Sequence, residues 1–135
     1  MTTAEKKAYL LMFRVATLEA QDARARLDTF RTRHSGLKGS GLNDMPRGKT
    51  LHDMSGDFAR LDELETRLSA SIQTYERMQT KVASVIDAVE NPTHRRLLQL
   101  HYIDFLRFEE IAVVMGYSYR QVIRAHRRAI EQLDI

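Results

Sequence analysis

Residues 107–133 read RFEEIAVVMGYSYRQVIRAHRRAIEQL, and the three residues GYS in their middle decide the fold. Before them runs an acidic, apolar segment; after them comes one carrying Arg120, Arg124, Arg127 and Arg128. The spacing predicts a short helix over 108–115 with Ile111, Ala112 and Met115 inward. Gly116 stands where a helix C-terminus calls for a left-handed residue, which glycine adopts without strain. Ser118 then serves as N-cap of a second helix, and Gln121, three residues on, completes a capping box. One helix stops and another starts within three residues, the spacing of a helix-turn-helix. Small Ala112 permits a close crossing, and Val122, Ala125 and Ala129 anchor the second helix.

With those three residues inward, Tyr119, Arg120, Ile123, Arg124, Arg127 and Arg128 are left on the sides and outer face of the second helix. Arginine presents a planar fork of donors that matches guanine edges and phosphates alike, so this face fits duplex DNA. Arg120 and Arg124 lie near a helix N-terminus, where the dipole disfavours cations, and a cost tolerated there suggests use. Arg127 and Arg128 lie toward the C-terminus, where a solvated basic face has its own structural explanation. Tyr119 is open between packing and DNA contact. Capping explains Ser118 and Gln121 first, and DNA contact second.

Working outward toward the N-terminus, Asn91-Pro92 pairs a good N-cap with a residue suited to the first helical position, which predicts a helix start there. Leu97, Leu98, Leu100, Tyr102, Ile103 and Leu106 build that helix and its exit. Ahead of it, Tyr9, Phe13, Ala16, Ala20, Ala23, Leu27 and Phe30 recur at steps of four and three, the narrow seam of a coiled coil. This predicts a helix over 3–33, opened by a Thr2/Glu5 capping box. Phe58, Leu61, Leu64, Leu68, Ile72, Tyr75, Met78, Val82, Val85 and Val89 predict a second long helix. Residues 34–50, HSGLKGSGLNDMPRGKT, hold four of the six glycines and one of the two prolines, so no helix continues through them. Two long helices across such a turn make an antiparallel hairpin.

Composition narrows the function class. With no cysteine, disulfides, thiolate metal sites and cysteine nucleophiles are all excluded. The longest apolar runs, 8–13 and 111–116, fall far short of a membrane span, and Arg14 interrupts the only stretch near the start that could pass for an export signal. The five histidines form no ligand-spaced pair with a third donor, and no catalytic triad, phosphate-cradling loop or paired catalytic carboxylate is visible. No metal, cofactor or enzymatic activity is therefore expected. The net charge of +3 is small, so any case for an anionic partner rests on clustering.

Residues 95–133 resemble region four of the primary sigma factors, most closely in FEEIAVVMGYS and RRAIEQL. The whole layout, with a coiled hairpin ahead and NDMPRGK in the connecting loop, resembles the small phage and prophage proteins grouped as ArpU-type late-gene regulators. The resemblance puts the base-reading positions at Tyr119, Arg120 and Arg124. Arg120 stands where the sigma pattern has an acidic residue and Arg124 where it has glutamine, so the familiar promoter element is not implied. Arg107 stands where the family places a Ser or Thr cap. Nothing resembles the sigma region that melts DNA.

The sequence thus leads to an all-α chain: a hairpin over 1–90 for oligomerisation, then a helix-turn-helix over 91–135. A DNA-binding transcriptional regulator of phage late-gene type in the bacterial cytoplasm is expected, with double-stranded DNA as partner and a homodimer as the preferred assembly. Arg120 and Arg124 would read base edges with Tyr119 beside them, while Arg127, Arg128, Arg95 and Arg96 would face phosphates. Two alternatives stay open: a small terminase-like packaging component, and an adaptor that engages RNA polymerase without reading DNA.

Overall fold

The computed structural model describes residues 1–34 and 51–135, with side chains from residue 54 onward in the second stretch. Among these residues the chain is all-helical, with five α-helices and no strand: α1 Thr3–Arg33, α2 Leu51–Asp87, α3 Pro92–Leu98, α4 Phe108–Met115 and α5 Tyr119–Glu131. A π-helical turn, Gln99–Ile103, follows α3 directly. The glycine-rich stretch and its NDMPRGK segment lie outside the described residues, apart from His34.

Helix ends follow local chemistry. At the start of α1 the Thr2 amide donates to Glu5 Oε2 (2.6 Å) and the Glu5 amide to Thr2 Oγ1 (3.2 Å), satisfying two amides that have no partner within the helix. These bonds hold the Glu5 carboxyl below its usual range. Asn91 caps α3 by accepting from the amides of Thr93 and His94, with Pro92 at the first helical position.

The chain divides into two compact units, Met1–Thr17 with Thr74–Ile135, and Leu18–Gln73. The Asn91-Pro92 junction lies inside the first of these rather than at its edge. In that unit a core of Leu10, Phe13, Val82, Ile86, Leu98, Tyr102, Ala129 and Ile130 draws on α1, α2 and the C-terminal helices together. Leu10 is fully buried although it lies off the seam, because this part of α1 meets more than one neighbour. Lys6 reinforces the arrangement: its Nζ donates to the carbonyls of Leu133 (2.8 Å) and Glu131 (3.3 Å), placing a cation at the α5 C-terminus.

In the second unit Ala23, Leu27 and Leu64 are buried and Arg31 Nη2 lies 3.0 Å from Glu65 Oε1. Two expected seam positions on α2 differ. Phe58 and Ile72 are exposed, while Asp57 and Ser71 are half-buried in their place. The inward face advances by steps of three and four that need not land on the most apolar residue, and Asp57 Oδ1 sits 3.7 Å from His34 Nε2.

Candidate nucleic-acid interface

The turn between α4 and α5 is built by backbone geometry. Gly116 has φ 69° and ψ 31°, the left-handed conformation. The amide of Tyr117 donates to the Ala112 carbonyl (2.9 Å) and that of Gly116 to Val113 (3.4 Å), a Schellman closure that satisfies the last carbonyls of α4. A Cβ on Gly116 would meet nothing within 4 Å, so the backbone angle and not space requires glycine here. Two residues later the Ser118 amide donates to Gln121 Oε1 (2.8 Å) and the Gln121 amide to Ser118 Oγ (3.2 Å). Both side chains are thus engaged in capping α5.

At the start of α4 the cap is unusual. A guanidinium cannot accept an amide proton, so Arg107 supplies only half of a capping box: its backbone amide (3.3 Å) and Nε (3.0 Å) both donate to Glu110 Oε1. The pair holds the Glu110 carboxyl below its usual range.

Two cores hold α5 by its inner face. Val122 closes a cluster with Leu97 and Ile111, all three fully buried, ringed by Leu106, Phe108, Ala112, Met115 and Ala125. Ala129 and Ile130 enter the larger core. Between these anchors lies a residue that the sequence reading left out: His126 is buried, and Ala125, expected inward, sits at the edge. The signal was its spacing, four after Val122 and three before Ala129. His126 Nε2 lies 2.7 Å from the Tyr102 hydroxyl, and its ring packs near His101 and Phe108. Burial, then the charges of His101 and Lys7, push His126 down to about 4, while burial pushes Tyr102 up to about 12. His126 is therefore neutral at neutral pH, and the Tyr102 hydroxyl donates to it.

The opposite face of α5 is open. Tyr119, Arg120, Gln121, Ile123, Arg124, Arg127 and Arg128 are all exposed. Tyr119 is 50% exposed, so it is not a core residue. The side chains of Arg120, Arg124 and Arg128 make no hydrogen bond or ion pair with any described residue. Arg127 Nε is 3.7 Å from Glu131 Oε1, an exposed contact of little energetic weight. Arg96 is exposed, whereas Arg95 Nη1 donates to the Val89 carbonyl (3.0 Å) and ties α3 to the segment that follows α2. The structure thus brings the sequence-predicted residues of α5 onto one helix of about 20 Å, from 13 residues at 1.5 Å each. A major groove about 12 Å wide admits such a rod.

Among the described residues no group of three or more His, Asp or Glu side chains could hold a metal ion, and no helix is long and apolar enough to cross a membrane. No known family model, curated protein or solved structure matches the chain.

Proposed function

We propose that the protein is a DNA-binding transcriptional regulator of phage late-gene type, in which α4, the Gly116 turn and α5 act as a helix-turn-helix and α5 enters the major groove. The carrying observation is that Arg120, Arg124 and Arg128 stand exposed and unpaired among the described residues, on a helix whose other face is held by two cores. The rigid helix backbone loses little order on binding, and its free guanidinium groups meet both base acceptors and phosphates. Arg120 and Arg124 read base edges; Arg127, Arg128 and Arg96 neutralise phosphates. Arg124→Ala is expected to cost about 1–3 kcal/mol on the preferred site and to relax base preference. Arg128→Ala weakens all sequences alike and flattens the salt slope by about one. Fluorescence anisotropy on selected and random duplexes separates the two, and equal losses on both duplexes from both variants would contradict the assignment.

The long helices α1 and α2 serve as an oligomerising hairpin. Leu11 and Val15, 42% and 53% exposed and four residues apart on α1, leave an apolar strip for a second copy. A dimer would present two α5 helices, which modules of this size need for useful affinity. Val15→Glu is expected to yield monomers in sedimentation equilibrium, and a wild-type chain that sediments as a monomer at micromolar concentration would contradict the dimer.

One observation favours a second reading, the RNA polymerase adaptor. Val113, 83% exposed, and Val114, 50% exposed, stand on the outer side of α4 where DNA recognition does not require them, and suit contact with a protein. Pull-down of polymerase without any shift of a DNA probe would favour it.

A further inference from the structure

The arginines do not account for the whole exposed face of α5. Ile123 is 37% exposed and Tyr119, four residues earlier, 50% exposed, although Val122, His126, Ala129 and Ile130 show that the inward positions are already filled. Isoleucine is a poorer helix former than the straight-chain residues, and its apolar surface is left in water. Helix geometry puts Ile123 beside three of the residues already described: Tyr119 at i−4, Arg120 at i−3 and Arg127 at i+4.

An apolar strip one side chain wide, bordered by Arg120 and Arg127, is poorly matched to a second copy of the same face, which would bring arginines against arginines. It is well matched to a groove lined by anions and acceptors in which isolated methyl groups project. In the major groove that group is the C5-methyl of a pyrimidine, and it distinguishes thymine from cytosine.

We propose that Ile123, with Tyr119 beside it, reads the C5-methyl group of a pyrimidine next to the guanine that Arg120 contacts. The inference rests on the DNA-binding reading above and adds the chemistry of a second recognised base. Residues three apart on a helix have Cβ atoms about 5–6 Å from one another. Base pairs are about 3.4 Å apart, so the methyl lies within about two steps of that guanine.

The test uses the full chain and a duplex selected from a random pool at fixed salt. Each thymine is replaced singly by deoxyuridine, which removes one methyl group and nothing else, and each cytosine by 5-methylcytosine, which adds one. One thymine within two steps of the guanine whose recognition Arg120→Ala abolishes is expected to lose about fourfold in affinity on replacement, the effect of one buried methyl group. Ile123→Ala is expected to abolish that sensitivity. If the position holds cytosine, its methylation is instead expected to raise affinity by a similar factor, which identifies 5-methylcytosine as the source of the methyl. The inference is overturned if no single replacement or methylation changes wild-type affinity by twofold, or if Ile123→Ala keeps the full sensitivity. Absence of binding to any duplex at low salt would overturn the DNA-binding reading, and this inference with it; binding without methyl sensitivity overturns the inference alone.

Discussion

Among the described residues, Gly116 and Phe105 hold left-handed backbone for different reasons. Gly116 does so at no steric cost, and with open space around its Cα position the penalty for any replacement is that of the backbone angle. Gly116→Ala should therefore destabilise the fold by about 1–2 kcal/mol, whereas Gly116→Asn should cost less because asparagine visits this region more readily. Urea titration of the three proteins reads the difference, and an alanine variant as stable as the parent would show that the turn relaxes to another geometry. Phe105, at φ 59°, bears the cost that Gly116 avoids. Its ring stacks on Phe13 at 5.5 Å and lies beneath the Arg14 guanidinium at 5.8 Å, contacts that offset strain of about 1–2 kcal/mol.

Between elements, a buried polar contact joins the apolar anchors of α5. Tyr102 in the π turn donates to neutral His126 in α5, and the charges of His101 and of Lys7 from α1 oppose a further proton on His126, while Arg14 does so on His101. An unfolded histidine titrates near 6.5, while His126 in the folded chain takes its proton only near 4. Between these values the unfolded state binds more protons, so stability is complete above about pH 6.5 and falls with decreasing pH at up to about 1.4 kcal/mol per pH unit, to a loss of about 3 kcal/mol. His101 is lowered as well, chiefly by burial, and adds in the same direction. Denaturant midpoints at pH 7 and pH 4.5 should differ less in His126→Gln than in the parent; the same pH dependence in both would remove His126 from the account. Local elements were legible in the sequence because their signals are local. The seam from Tyr9 to Phe30 on α1 is buried or half-buried throughout, and the Asn91, Gly116 and Ser118 caps stand where residue type alone puts them. The π turn was not legible. Its bond from the Asp104 amide to the Gln99 carbonyl accompanies the packing of Tyr102 and Phe105 against partners distant in the chain. The inward place of His126 was missed because a histidine at core spacing signals burial only once a hydroxyl donor such as Tyr102 is known to face it. Of the site itself, the identity and exposure of the arginines were readable from helical period alone; the engagement of Arg95 by the Val89 carbonyl was not, since it depends on how α3 leaves α2.

At the scale of the molecule, the first unit gathers residues 1–17 with everything from Thr74 onward, so the proposed recognition helix is braced by the N-terminal helix as well as by its sequence neighbours. A rigid support of this kind holds the helix that carries the guanidinium groups, because backbone order lost before binding is not lost again during it. The decisive measurement is a titration of duplex DNA at several salt concentrations with the parent and with a variant carrying Arg120→Ser, Arg124→Ser, Arg127→Ser and Arg128→Ser, both shown by circular dichroism to be equally helical. The parent is predicted to bind with an affinity that falls linearly with salt on logarithmic axes, at a slope of about −0.9 per phosphate neutralised, and the variant to lose both the affinity and the slope. A parent that fails to bind at low ionic strength, or a variant that binds as the parent does, would contradict the account.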